Sequence, residues 1–307
     1  MAVILGPNHY GKAGIRFLRV VREADRASIR EFKVSVMLAG DMHGAYVTGD
    51  NASVIPTDTQ KNTVHAFAAR YGITSPEAFG LLLGQHFTTS QPAIHSATVR
   101  IEEYRWIRMP AVAASASHSF VREGAETRIA VVRCDQGGAA VVDSGVAGLA
   151  VLNAAGSEFR GFAKDEYTTL AETSDRILAT LVNGRWRHER RPSPGDNAVD
   201  WAVDWDGSYA EVRGHLLNAF TDTHSFSLQH TLYAMGKRVL DCCVDVGSVW
   251  LSLPNLHHVV VDLTPFGIAN DNELFAVSDQ PYGLIEACVG RVGDNKFVTG
   301  DDPMGEG

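Results

Sequence analysis

Cysteine is scarce in this chain, and positive charge is outweighed. The 307 residues hold four cysteines, Cys134, Cys242, Cys243 and Cys288. None belongs to a CxxC pair or to a Cys/His spacing of the kind that binds zinc. Cys242 and Cys243 are adjacent, and adjacent cysteines do not form a relaxed bridge. The four read as reduced, mostly structural thiols in a cytoplasm. Lysine and arginine number 27 against 36 aspartates and glutamates, a net charge of −9. That balance argues against a nucleic-acid partner, which calls for a basic patch. A small anionic ligand must instead be caught by local positive groups. No apolar run is long enough to span a bilayer. Residues 1–21 lack the basic start, apolar run and small-residue cleavage site of a signal peptide. The last five residues, Pro-Met-Gly-Glu-Gly, are no peroxisomal Ser-Lys-Leu address. The expectation is a cytoplasmic protein without a membrane partner.

What is present fits a globular protein with a substantial core: 45% of residues are hydrophobic and 21% charged. The length suits two ordinary domains or one large one. Phe32, Val34, Val36 and Leu38 alternate with Lys33, Ser35, Met37 and Ala39, the period of a strand, and residues 13–40 read as a hairpin turning after Glu23. Two helices follow. Val64, Phe67, Ala68 and Tyr71 form one apolar stripe, with Thr57 or Asp58 as the N-cap. Thr74-Ser75-Pro76-Glu77 opens the second helix, either as a capping box or as a Ser cap with Pro at the first helical position. Its buried face is Phe79, Leu82, Leu83 and Phe87. Strands return near 94–107 and 119–134.

After the Gln136-Gly137-Gly138 turn the order repeats. Strands are expected near 139–155 and 176–187, then two helices, then strands at 247–263 and 273–291. Tyr209, Val212, Leu216 and Phe220 share one face of the third helix; Leu228, Leu232, Met235 and Val239 share one face of the fourth. Residues 190–200, rich in Pro and Gly, read as a loop. The fold class is therefore α+β: two β-β-α-α-β-β units, 1–138 and 139–292, each an antiparallel sheet with helices on one face. Residues 293–307 read as a polar, acidic, mobile tail.

The chemistry concentrates in residues 156–176. Phe159 and Phe162 offer ring faces, and Arg176 offers a planar cationic fork, half of a pocket for a flat anionic heteroaromatic ligand. Three more segments stand out: Tyr10-Gly11-Lys12, Thr57 to Thr63, and Ser252 to His258. A fourth, Ser227-Leu228-Gln229, is shorter. Read alone, each residue has an ordinary role. Lys12 fits a solvated strand lysine, Thr57 a helix cap, Phe159 core filler, Arg176 an exposed strand residue and Gln229 a solvated first-turn residue. His257-His258 with His224 or His230 makes an awkward metal set, because neighbours on a strand point to opposite faces. No HExxH spacing is present either.

Together these blocks, in order from Tyr10 to Glu286, resemble the urate oxidase (uricase) family. The resemblance implies the tandem tunnelling fold, whose sheets close into a barrel with a central tunnel. It implies oxidation of urate by O2 and water to 5-hydroxyisourate and hydrogen peroxide, with no metal and no cofactor. Lys12 and Thr57 match the family's proton relay, and His257 joins their hydrogen-bond network. Arg176 matches the group that grips one edge of the purine, Gln229 the opposite edge, and Phe159 the stacking ring. Leu228 and Asp58 lie beside the substrate, and Asn255 holds O2 or water above it. Pro56 stands where a smaller residue is usual, and Leu256 where a lysine is common. The family pattern also implies a homotetramer with pockets between subunits. The same fold can host pterin or other purine chemistry, or purine binding without turnover, so these readings stay open at the level of sequence.

Overall fold

Every second residue from Phe32 to Leu38 is sealed from solvent. That alternation builds one face of the first sheet, as the period of two requires. The computed structural model describes residues 3–23, 27–110, 118–189, 203–292 and 297–298. The expected turn after Glu23, the 190–200 loop and nearly all of the 293–307 tail fall outside the described residues.

The elements run β1 (Tyr10–Arg22), β2 (Ala27–Gly40), α1 (His43–Val47), α2 (Thr57–Tyr71), α3 (Pro76–Ser90), β3 (Ile94–Tyr104), β4 (Trp106–Arg108), β5 (Phe120–Arg122) and β6 (Thr127–Asp135). They continue with β7 (Ala140–Asn153), β8 (Leu178–His188), α4 (Trp205–Asp222), α5 (Leu228–Cys242), β9 (Val246–Val260), a 3-10 turn at Thr264–Phe266 and β10 (Phe275–Gly290). This is β-β-α-α-β-β twice, with α1 and the small β4–β5 ladder added to the first round. Among the described residues no helix is long and apolar enough to cross a membrane.

Two compact units emerge. The first takes in Met1–Gly145 and Arg187–Tyr209, the second Val146–Trp186 and Ala210–Gly300. In the first, strands lie in the order β1-β2-β3-β6-β7, with β1–β2, β2–β3 and β3–β6 antiparallel. Helices α2 and α3 cover one face, and Val64, Ala68, Phe79, Leu83 and Phe87 join the strand residues in one apolar core. In the second unit the order is β7-β8-β9-β10, and α5 packs on β9 and β10. The terminal strands are open. β10 has no buried residue and β1 has one, Ile15.

Ser75 caps α3, accepting the Ala78 N–H at 3.1 Å, with Pro76 at the first helical position. Several expectations need correction. Helix α2 has Pro56, not Thr57 or Asp58, at its N-cap, and no side chain caps it. Proline fits the entry because its fixed φ already turns the chain. Tyr71 is 54% exposed. It closes the last turn of α2 by packing edge-on against Phe67, not by entering the core. Leu82 is only half-buried, and Leu81 is buried beside it. The strands expected at 94–107 and 119–134 each break, at Arg105 and at 123–126, where the chain leaves the sheet to form β4–β5. Strand β8 begins at Leu178, so Arg176 lies in the loop before it.

The first unit also buries a polar knot. Glu77, fully buried, receives Arg128 at 2.7 Å and the Ser144 hydroxyl at 2.6 Å. Arg128 reaches Asp206 at 2.6 Å as well. His188 Nε2 lies 2.8 Å from Ser144 Oγ. With Glu77 ionised, the Ser144 proton goes to its carboxylate and neutral His188 donates from Nε2. Burial first, then the Arg128 charge, holds the His188 pKa down at about 4.

Candidate active site

In the first unit a β-bulge sets Lys12. Lys12 pairs with Val36 and Ile15 with Val34, so β1 spends three steps where β2 spends two. Directly opposed residues share a face. Val34 and Val36 both point into the core under α2 and α3. Lys12 therefore emerges on the helix-covered face, together with Ile15, which a regular strand would place on the opposite side. Gly14 makes the bulge possible with φ of +71°, and its N–H donates to Ser35 Oγ at 3.0 Å. Gly11 is equally constrained, since a Cβ there would lie 1.8 Å from the Val36 carbonyl oxygen.

The same face carries the start of α2. The Tyr10 hydroxyl accepts the Ile55 N–H at 2.8 Å, tying β1 to the segment that enters the helix two residues later at Thr57. Buried Gln60 donates back to the Ile55 carbonyl at 3.3 Å. Asp58 is exposed, and its carboxylate is engaged by Lys61 and by Asn62. The Lys61 hydrogen bond and charge, and to a smaller degree the Lys12 charge, hold that carboxyl below its usual range. The helix start leaves backbone N–H groups of Thr57 and Asp58 without intrahelical partners, which favours an anion there.

In the second unit residues 156–176 form a closed loop. Phe159 and Thr173 exchange backbone hydrogen bonds of 2.9 and 3.0 Å. Asp175 accepts the Gly156 N–H at 2.8 Å. The loop is also stitched to the segment ahead of α5, because the Glu158 N–H donates to the Ser225 carbonyl at 2.8 Å and the Ser225 N–H to the Gly156 carbonyl at 3.0 Å. Buried Glu158 pairs with Arg160 at 2.5 Å and with His224 at 3.4 Å. Phe159 and Phe162 stack, with centroids 4.9 Å apart and planes 14° from parallel.

The Arg176 guanidinium lies 5.1 Å from the Phe159 centroid. Arg176 has no carboxylate partner among the described residues, and its Nε is buried without a hydrogen bond. Burial pushes its pKa down. An unpaired, half-buried guanidinium is costly unless an anion completes it. Leu228, buried, and Gln229, exposed, open α5, whose Ser227 cap accepts the His230 N–H at 3.2 Å. Thr57 and Leu228 are thus each the first residue of a helix.

On β9, Asn255 and His257 continue the face of Leu251 and Leu253, which are fully buried. Asn255 faces Gly283 and His257 faces Ser278, so β10 carries three extra residues between these partners. His258 turns to its own strand, with Nδ1 3.1 Å from the Leu256 carbonyl oxygen.

The first unit holds Lys12, Thr57 and Asp58, and the second holds Phe159, Arg176, Leu228, Gln229, Asn255 and His257. Phe159 and Arg176 are in direct contact. Sequence reasoning did not find the supports: Gly14 in the bulge, the Tyr10 hydroxyl, Asp175, and the Ser225 bridge. Tyr10 and Asp175 had a signal, as parts of the Tyr10-Gly11-Lys12 and 156–176 blocks.

Comparison with known proteins identifies the family. The family model described as Uricase matches residues 8–133 and 142–286. The uricase of Arthrobacter globiformis is 46% identical over 291 residues, covering 95% of this chain and 91% of that protein. The Aspergillus flavus uricase is 35% identical over 288 residues, 92% of this chain and 95% of its own length. A crystal structure of uricase from Arthrobacter globiformis superposes with a TM-score of 0.88 at 44% identity, covering 99% of each chain. With its family segments spanning both units, this chain belongs to the uricase family.

Proposed function

We propose that the chain oxidises urate with O2 and water to 5-hydroxyisourate and hydrogen peroxide, without metal, flavin or haem. The chain is an oxidoreductase of the uricase family, a urate oxidase, and urate and O2 are its substrates. Urate gives up two electrons and two protons, O2 takes both as peroxide, and water adds to the ring. The protein's task is positioning, charge stabilisation and proton handling.

The observation that carries the reading is the Arg176 guanidinium over the Phe159 ring, without a carboxylate partner among the described residues and with its buried Nε unbonded. Its fork suits the paired acceptors on one edge of an anionic purine. Phe159 covers the ring face, and the Gln229 amide, which both donates and accepts, reads the opposite edge. Leu228 lines the ring beside it. The first-turn N–H groups at Thr57 and Asp58 face the anion. Lys12 takes a proton through the Thr57 hydroxyl, His257 continues that chain, and Asn255 holds O2 or water above the ring.

In this reading the tandem units 1–138 and 139–292 of several chains form a barrel around a tunnel. Each pocket joins Lys12 and Thr57 of one chain to Phe159, Arg176 and Gln229 of its neighbour, in a homotetramer. The open strands support it. Val277 and Leu284 on β10, a terminal strand, are 70% and 55% exposed, and such a strand is of the kind that seeks a partner. Four free thiols accord with a cytoplasmic setting.

The test is urate loss by ultraviolet absorbance, with O2 uptake and peroxide followed together on chelator-treated protein. Equal consumption of urate and O2 with peroxide release is expected. Folded, tetrameric protein that turns over only after metal or flavin is restored would overturn the cofactor-free reading.

A further inference from the structure

Glu211, His215 and Cys243 bring one ligand atom each to within 4.8 Å of one another. All three belong to the second unit, and none takes part in the chemistry proposed above. Glu211 and His215 are one turn apart on α4, with Nε2 and Oε1 separated by 3.9 Å. Cys243 is the residue that ends α5, its N–H bonded to the Val239 carbonyl at 2.8 Å. Three chemically different donors, a carboxylate, an imidazole and a thiol, therefore converge from two helices.

Two further observations point to a ligand. His215 Nδ1 is buried and has no hydrogen-bond partner among the described residues. Buried polar atoms are nearly always paired, so this orphan nitrogen, on a ring whose Nε2 faces Glu211, calls for an account. The charges around the thiol are mostly negative, from Glu211 and Asp245. The opposing cation, Arg291, spends its guanidinium on the Leu240 and Cys243 carbonyl oxygens at 2.6 and 3.3 Å.

We propose that Glu211, His215 and Cys243 form a binding site for a borderline-soft divalent cation of the zinc class, joining α4 to the end of α5. Magnesium and calcium are disfavoured, since they take oxygen ligands. Thiolate, imidazole and carboxylate in one set suit zinc or cobalt(II), with water in the fourth position. Binding replaces the thiol proton: the S–H bond breaks, a sulfur–metal bond forms and one proton is released. Because a proton is released, uptake strengthens as pH rises.

The experiment titrates metal-stripped, full-length protein with Zn2+ against a chelating dye and with Co2+ by absorption. One equivalent per chain is expected, with a thiolate-to-cobalt charge-transfer band. Cys243→Ser should abolish the band. His215→Gln and the exposed Glu211→Gln should each weaken Zn2+ binding by about tenfold or more. Cys242→Ser should change neither. Far-ultraviolet circular dichroism and urate turnover check that each variant is folded, and Glu211→Gln keeps the test alive if Cys243→Ser is not. No band in the unaltered protein would overturn the site. So would a band that survives in folded Cys243→Ser, one lost in Cys242→Ser, or Zn2+ binding unaltered by Glu211→Gln.

Discussion

The Arg176 guanidinium sits over the Phe159 ring, 5.1 Å from its centroid, with no carboxylate among the described residues to neutralise it. The planar fork, not charge alone, is what the site offers. Arg176→Lys keeps the charge and removes the paired donors. It should lower kcat/KM for urate about 10- to 100-fold, the scale of a lost charged hydrogen bond. Steady-state kinetics decide it, and a lysine variant equal to the parent would remove the fork from the mechanism.

The bulge after Lys12 gives a second test. Gly14→Ala forces a residue with a Cβ to hold φ near +71°. The strain should destabilise the protein by about 1–2 kcal/mol and lower kcat as Lys12 shifts. Thermal melting and turnover should change together. Deleting Gly14 removes the extra residue, turns Lys12 to the other face and should abolish turnover in whatever protein folds.

Hybrid tetramers test the shared pocket. Thr57→Ala and Arg176→Ala should each be nearly inactive alone. Refolded together, they should regain activity, because some pockets then draw Thr57 and Arg176 from intact copies. Verified hybrids that stay as inactive as the parents would show that one chain supplies both.

His188 predicts an acid limb in stability. Its native pKa is held at about 4 by burial and by Arg128. An unfolded histidine titrates near 6.5, so between these values the unfolded chain binds the proton that the native state refuses. Stability from this group is complete above pH ~6.5 and falls towards pH ~4, by at most about 3 kcal/mol. Glu77 and Glu103 act oppositely, since burial raises both despite their arginine neighbours. His188→Gln keeps a donor for Ser144 and should flatten the limb in urea midpoints measured from pH 7 to 4. An unchanged slope would mean that His188 is not the neutral group described.

Much of the fold could be read directly. The alternation from Phe32 to Leu38 and the Ser75-Pro76 helix start are local signals, and local physics decides them. Tyr71 misled because a 3.6-residue stripe says nothing about where the supporting sheet ends. The candidate residues themselves were visible through matching blocks, yet their geometry was not. The bulge at Gly14 depends on which β2 residue stands opposite, a pairing across more than twenty positions. The Ser225 link to Gly156 and Glu158 joins backbone groups, which leave no mark on residue choice. Glu211, His215 and Cys243 escaped notice because the cysteine comes from a different helix.

A catalyst that releases hydrogen peroxide is bathed in its own oxidant. Thiolate, not thiol, is the form that peroxide attacks. Cys134 and Cys243 are buried and pushed up to about 11, which leaves roughly one molecule in ten thousand ionised at pH 7. Both are thereby hardened against self-inflicted damage while no metal is bound. Oxidative wear over many turnovers falls first on Cys242, the exposed thiol at the end of α5.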